Sequence, residues 1–531
     1  MLKHLSPTNH WGRFCSLLIL FSVVKAMVYF SLIPPLEGWD EYQHLSYIYY
    51  LEETGSRPIL QNANVSRDLL KEATLFPQPD SMLNQTPGVG AVGYKQFYSG
   101  ADQPRYNPHH GDVPLYQAQH GSLYYWLGSI LLNRSSLHNQ LVDQINLLRL
   151  LNVVFTISSL SIYILIVRRI FRQKNRAAMI CCLIFCQPLF LLNGIRIAND
   201  SLAILLGSLV ILLSVVPRCR HSLACNILAG VMIGLATVVK STGIVLLPFW
   251  LITLGISAFK KELSLWRLSV FAGIMVLLFL ALMYKTLIFN LFHYQVAFVM
   301  QEALVNKKNN VSLIDLLASG LQFSMVWDII TLWFKKTTWT GGWSMLKVSN
   351  ISNITFILYS IGFAGWLARG GLTKNKESKQ NSKNQIIISL FALVCLTSMA
   401  LGWHHIQSII AWGQSTTCAW YTAMALPCFL ILFYEGASHW SQRSGFFLTV
   451  ALILVYGYSD IIGILTMIHH YSGGIVGYEA VSRIVEINQL FMSEMLFLTI
   501  AVAFLFLYVL LISTVLLSER ESWSSTISAT D

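Results

Sequence analysis

Charge is what this chain lacks. Only 11% of its 531 residues are Asp, Glu, Lys or Arg, and 55% are apolar, whereas a soluble globular domain carries about 25% charged residues. A soluble enzyme of this length would divide into several domains, each needing a charged surface. That class is excluded, together with disorder and coiled coil. Cysteine is sparse as well. There are nine, an odd number, and none lies between Pro34 and Asp143, which argues against a disulfide-knit scaffold. Cys181, Cys182 and Cys186 read as small apolar residues of a span rather than metal ligands. A cleavable leader is not expected, because the first apolar run is too long and has no small-residue cleavage site. The internal repeat that marks many transporters is missing. So is the weak ten-residue alternation of an outer-membrane barrel. The net charge of +11 is not gathered into a basic patch interleaved with aromatics, so nucleic acid is not a partner.

What the chain does have is long apolar runs. A helix needs about 20 apolar residues to cross the hydrocarbon. Twelve segments qualify: 13–33, 144–168, 177–195, 201–216, 223–239, 243–259, 267–289, 354–368, 385–402, 420–435, 445–468 and 495–516. The expected fold is an all-α polytopic membrane protein of about 12 transmembrane helices with large outer-face loops. Segment 122–132 is apolar but too short to cross, and is placed on the membrane surface. Basic clusters follow the even-numbered spans: Arg168, Arg169, Arg172, Lys174 and Arg176; Arg218 and Arg220; Lys260, Lys261 and Arg267; Arg369, Lys374, Lys376, Lys379 and Lys383. The positive-inside trend puts these loops and both termini in the cytoplasm. The long connections, 34–143 and 290–353, then lie on the outer face, where loops of that length carry function. The organisation read from this is a catalytic region 1–435 followed by C-terminal transmembrane helices 436–531. Seven Asn-x-Ser/Thr sequons (Asn64, Asn84, Asn133, Asn199, Asn310, Asn350, Asn353) fall on the same outer face.

Chemistry gathers where the first span leaves the membrane. Pro34-Pro35 stops the helix, and the chain continues EGWDEYQHLSYIYYLEETGSRPIL over 37–60. If 40–51 is helical, Asp40 and His44 share a face. Two adjacent carboxylates at a bilayer surface favour a catalytic or ion-binding role. The bland alternative is that Asp40 caps the helix and Glu41 complements its dipole. Glu41-x-x-His44 is half of a di-iron pattern, but no second copy occurs. Lys240, Arg149 and Arg196 sit at outer ends of spans, against the positive-inside trend, and are candidates to meet a lipid phosphate; snorkelling is the alternative. Asp200 follows Arg196 by four residues and is placed to pair with it. Lys25 lies near the middle of the first span, where charge is costly, so it should face the bundle interior. His109, His110 and His120 share the first outer loop, and His404-His405 and His469-His470 open later ones. Trp333, Trp339 and Trp343 suit an interfacial belt, with stacking on a sugar ring as the alternative.

Six stretches resemble one known superfamily. They are EGWDEYQHLSYIYYLEETGSRP (37–58), QHGSLYYWLGSILL (119–132), RLLNVVFTISSLSIYILIVRRIF (149–171), NGIRIANDSLAILLGSLVI (193–211), GLATVVKSTGIVLLP (234–248) and TLWFKKTTWTGGW (331–343). Their order and spacing over roughly 350 residues resemble the C-type (GT-C) membrane glycosyltransferases. These are polytopic enzymes that use polyprenyl-phosphate sugars, and they include protein mannosyltransferases and the lipid A aminoarabinose transferase. The likeness is greatest to bacterial glycosyltransferases of unassigned substrate. Three departures stand out. Trp39 precedes the acidic pair where Pro-type residues are common. Gly121-Ser122 replaces a usual Pro-Pro, and Ala419-Trp420-Tyr421 replaces an Arg-Tyr-Leu that would supply a phosphate-binding arginine.

The resemblance implies an enzyme that moves a hexosyl or pentosyl group from a polyprenyl-phosphate donor to a lipid, glycan or protein acceptor on the periplasmic or lumenal face. A bacterial plasma membrane is the expected host, with the endoplasmic reticulum as the alternative. Asp40 falls where the family has its general base, with Glu41 beside it. Lys240, Arg149 and Arg196 would bind the donor phosphate, and His44, His120 and Asp200 would bind substrate. No cofactor is expected to be obligatory. A divalent Mg or Mn ion is the open possibility, with Glu41 and His44 as candidate ligands. Two other classes compete: a carrier or flippase for a lipid-linked substrate, and an O-antigen polymerase or ligase using a diphosphate-linked donor.

Overall fold

The computed structural model describes residue 7 and residues 10–100, 105–135, 140–320, 323–338, 341–346, 348, 350–368, 378–488 and 493–527. Helices are the dominant regular structure among these residues. Extended pairing is limited to an isolated antiparallel bridge between Asn64 and Pro114. Eight helices are long and apolar enough to cross a membrane: Trp11–Leu32, Leu141–Ile170, Ser241–Phe259, Leu265–Tyr294, Ile351–Ala368, Lys383–Trp412, Gln442–Tyr471 and Glu494–Glu519. A ninth crossing is broken, with Lys174–Cys186 and Pro188–Gly194 meeting at a 53° bend. The other three expected spans are helices of 15 to 17 residues, Asp200–Val215, Leu223–Val239 and Leu426–Trp440. The count of twelve is reached only if these short helices cross too. The chain is a multi-pass membrane protein.

The bend shows how sequence sets packing. Pro188 has no N–H and interrupts the ladder. The N–H of Phe190 turns to the side chain of Gln187. The carbonyl of Cys186 accepts instead from Lys25 Nζ at 2.9 Å. Lys25 also pairs with Asp460 at 2.6 Å, the two side chains being 1% and 0% exposed, and Tyr29 donates to the same carboxylate. Lys25 therefore faces the bundle interior. The pair ties the first helix to Gln442–Tyr471, and the ring of Phe21 packs on Phe504 and Tyr508 of the last helix at 5.7 and 5.6 Å. The C-terminal helices thus share a core with the N-terminal one, and residue 435 falls inside the helix Leu426–Trp440. All nine cysteines are free, and Cys181, Cys182 and Cys186 are buried.

Both long connections are structured. The first holds the helices Glu41–Thr54, Arg67–Ala73, Asp80–Gln85, Tyr94–Ser99 and Leu123–Arg134. The other holds Gln301–Lys308, Leu313–Gly320 and Phe323–Phe334. Asn199 is fully buried, and its side-chain amide donates to the Val239 carbonyl at 2.9 Å. Among the sequons, it is therefore not available for glycosylation. Trp339 and the polar tether carrying Arg369, Lys374 and Lys376 lie outside the described residues. The tryptophan belt does not form from the other two. Trp333 is buried on Phe429 at 5.1 Å, and Trp343 is buried beside Tyr42.

Candidate active-site cavity

The turn after Pro34-Pro35 decides where Asp40 points. Its backbone is left-handed (φ 63°), a conformation that Asp and Asn tolerate better than other non-glycine residues. Asp40 occupies the N-cap position of Glu41–Thr54, yet its side chain caps nothing. The N–H groups of Gln43 and His44 go to the Asp40 backbone carbonyl, and the Gly38 N–H donates to Glu41 Oε2 at 3.1 Å. The Asp40 carboxylate turns to Tyr116, whose hydroxyl donates at 2.5 Å, and Gln117, whose amide donates at 3.0 Å. These partners sit on a short helix, Tyr116–Gln119. The isolated bridge holds that helix in place, with Val65 N–H donating to Val113 O and Leu115 N–H to Ala63 O. The capping alternative for Asp40 is set aside by this geometry. Burial pushes its carboxyl above the usual range, against the pull of the Tyr116 hydrogen bond and of Arg196 and Lys240.

Facing Asp40 across one cavity of about 970 Å³ are Arg196, Asp200 and Lys240. Asp200 holds both cations. Its Oδ2 accepts from Arg196 at 2.7 Å and its Oδ1 from Lys240 at 2.5 Å. Arg196 is otherwise committed. Nε and Nη2 donate to Asn193, and Nη1 donates to the Trp39 carbonyl. Lys240 donates to Asp200 alone among the described residues, so an ammonium with three N–H groups keeps two for a ligand. Its Nζ lies 5.0 Å from the centre of the Tyr421 ring. Gly121 explains how the first long connection reaches this turn: a Cβ there would overlap the Val238 carbonyl oxygen. The departure from Pro-Pro is thus a site of close backbone approach.

Glu41 and Arg149 do not join this group. Arg149 Nε and Nη2 donate to the two Glu41 oxygens at 2.8 and 2.6 Å, and Nη1 and Nη2 donate to the carbonyls of Ile33 and Pro34, both at 2.7 Å. The Ile197 N–H adds a bond to Glu41 Oε1 at 2.9 Å. Both side chains are buried away from the cavity. The pair fastens the membrane exit and the Arg196 turn to the helix Leu141–Ile170. This corrects two sequence expectations, a catalytic place for Glu41 and a donor-phosphate contact for Arg149. It also removes Glu41 and His44 as a metal pair, because the Glu41 oxygens are filled by donors. His44 is on the cavity wall, with Nδ1 2.9 Å from the Tyr125 hydroxyl. Burial lowers its pKa well below the ordinary value. Among the described residues, no group of three His, Cys, Asp or Glu is placed to hold a metal.

His120 also lines the cavity, and burial brings its imidazole down to about 3. It is neutral at pH 7, and its Nδ1 has no partner among the described residues. Trp420 and Tyr421, at the departed Arg-Tyr-Leu, line the cavity too. Trp420 stacks on Trp39 at 4.3 Å, with Arg196 packed against both rings.

Sequence reading missed Glu37, a hub that joins the two long connections to the helix Gln442–Tyr471. Its carboxylate accepts from Tyr94 at 2.7 Å, the Ser344 N–H at 2.7 Å and Tyr471 at 3.1 Å, and its carbonyl accepts from the Trp343 N–H at 2.7 Å. A Cβ on Gly342 would collide with that carbonyl. Glu37 so holds cavity-lining Trp343 beside the Asp40 turn. Burial pushes its carboxyl up to about 7 despite these bonds. Nothing in the local pattern separates Glu37 from a loop carboxylate. Tyr116, Gln117 and Glu302 were missed for the same reason: their partners are far away in sequence.

The described structure thus has a wide cavity lined by both the Asp40 carboxylate and the Lys240 ammonium, at the helix ends opposite the basic clusters. No protein-family model and no curated protein matches the chain. Among solved structures it is similar to the oligosaccharyltransferase of Archaeoglobus fulgidus in its apo form (13% identity, 88% of this chain, 57% of that chain, TM-score 0.48). It is similar as well to that enzyme in complex with zinc and sulfate (14%, 87%, 55%, 0.46). A third is ArnT from Cupriavidus metallidurans bound to undecaprenyl phosphate (13%, 94%, 76%, 0.44). The chain spans little more than half the length of the archaeal enzyme.

Proposed function

We propose that the chain is a membrane glycosyltransferase that moves a sugar from a polyprenyl-phosphate donor to an acceptor on the outer face of a bacterial plasma membrane, with both termini cytoplasmic. One observation carries the reading. A carboxylate poised by Tyr116 and Gln117 shares a cavity with an ammonium that keeps unfilled donors. In the reaction, the acceptor hydroxyl attacks the anomeric carbon and Asp40 takes its proton. The bond to the phosphate oxygen breaks, and the leaving phosphate gains negative charge that Lys240 meets. Arg196 fixes Asp200, and Asp200 aims Lys240. Glu41 and Arg149 hold the Asp40 turn as positioning residues. His44 and His120, both neutral, offer hydrogen bonds to sugar hydroxyls. The Lys240 turn lies at the ends of its two helices away from Arg218, Arg220, Lys260 and Lys261, which supports the outward placement.

The test is release of polyprenyl phosphate by purified protein in lipid nanodiscs from a panel of mono- and diphosphate-linked sugars. Release from monophosphate donors supports the reading. Turnover of diphosphate donors alone would make the protein a polymerase- or ligase-type enzyme, and flux into liposomes without bond cleavage would make it a carrier.

A further inference from the structure

The cavity wall also includes a group that the proposed transfer leaves unused. Glu302, in the first turn of Gln301–Lys308, is buried and lines the cavity. Its helix is tied in twice. The Gln301 N–H donates to the Gln119 side chain at 3.1 Å, and Asn306 donates to the side-chain oxygen of Gln407 at 2.7 Å. The only donor to the Glu302 carboxylate among the described residues is the Thr416 hydroxyl, at 3.1 Å. Thr416 in turn lies 3.2 Å from His404 Nε2, and His404 meets Tyr421 edge-on at 5.4 Å. Tyr421 is the ring beneath Lys240, so the two charged groups are joined through one aromatic wall.

A carboxylate offers about four lone-pair sites, and one here is filled. Buried charges are ordinarily paired, yet no Lys or Arg reaches Glu302 among the described residues. The unfilled positions call for donors from a ligand. Three carboxylates, Asp40, Asp200 and Glu302, face two cations, Arg196 and Lys240, in the cavity. The cations lie with Asp200, so a phosphate is drawn there and repelled at Glu302. The stretch that carries Thr416 also brings Trp412, Gln414 and Ser415 to the cavity wall. Acid, amide, hydroxyl and aromatic face together match the surface of a sugar ring, whose hydroxyls donate and accept while its C–H face lies on the indole.

We propose that the Glu302 wall is the acceptor subsite and that it takes a neutral glycan rather than a phosphate-bearing group. This rests on the transferase reading above and names the acceptor class that reading leaves open. The experiment uses full-length protein in nanodiscs on an array of neutral and phosphorylated glycans, with binding of undecaprenyl phosphate measured on the same samples. Wild type should retain neutral glycans. Glu302→Gln and Thr416→Val should each lose at least about tenfold of that signal while binding undecaprenyl phosphate within about twofold of wild type, which also shows that they are folded. Binding confined to phosphorylated glycans, no glycan binding by wild type, or neutral binding unchanged in both variants would overturn the proposal. Failure of wild type to bind undecaprenyl phosphate would instead overturn the donor reading, whatever the array shows.

Discussion

Replacing Lys240 by Met removes one of the two cations held by Asp200 and leaves the other. Lys240 and Asp200 are 7% and 9% exposed, with Nζ 2.5 Å from Oδ1. Stripping a buried carboxylate of all partners costs about 3–5 kcal/mol. Here Arg196 stays at 2.7 Å, so the loss is that of one charge-assisted hydrogen bond, about 1.5–3 kcal/mol. The variant should fold. Donor binding loses a contact of the same kind, and at about 1.4 kcal/mol per tenfold the apparent affinity should weaken by about 10- to 100-fold. Because the phosphate gains charge as the sugar bond breaks, turnover should fall too. Lys240→Arg should retain part of both, since a guanidinium also meets phosphate, with different geometry. The assay is transfer rate against donor concentration at matched expression. Unchanged turnover together with unchanged affinity would refute the assignment and return Lys240 to headgroup snorkelling.

Three further outcomes follow from the same contacts. Tyr116→Phe removes the hydrogen bond that favours ionised Asp40. A base works when ionised, so the acid limb of the pH–rate profile should move to higher pH, by up to about one unit, and an unmoved limb would contradict the pairing. Glu37 has a folded pKa raised from 4.5 to about 7, so the fold favours its protonated form. Stability should decline as pH rises from about 4.5 to 7, by at most about 3 kcal/mol from this group, and Glu37→Gln should flatten that decline in thermal unfolding curves. Lys25→Met strands Asp460 inside the bundle and should cost about 3–5 kcal/mol. Lys25→Met with Asp460→Leu should recover much of the loss, as read from unfolding in detergent.

The helical plan was legible because long apolar runs have few other uses, and Lys25 could be turned inward from its cost in lipid. Asp40, His44, Arg196, Asp200 and Lys240 could be singled out from local signals (a proline exit, an i,i+4 spacing, cations against the positive-inside trend) and His120 from the resemblance of its stretch, and all six line one cavity. What stayed hidden was which of these groups pair. Glu41 and Arg149 are 108 residues apart and satisfy each other, which no local pattern records. Trp343 looked like a belt residue because indoles gather at interfaces, but Glu37 draws it into the cavity. Glu302 had no motif at all, and only the folded chain sets it beside Thr416 and His404.

The most direct measurement is transfer by Asp40→Asn. The substitution keeps the size of the side chain and its place beside Tyr116 and Gln117 but removes the base. With a polyprenyl-phosphate sugar that wild type turns over, Asp40→Asn should show normal expression, normal binding of undecaprenyl phosphate and transfer lowered by about 100-fold or more. Transfer near the wild-type rate in a folded Asp40→Asn protein would contradict the role of Asp40 as the base.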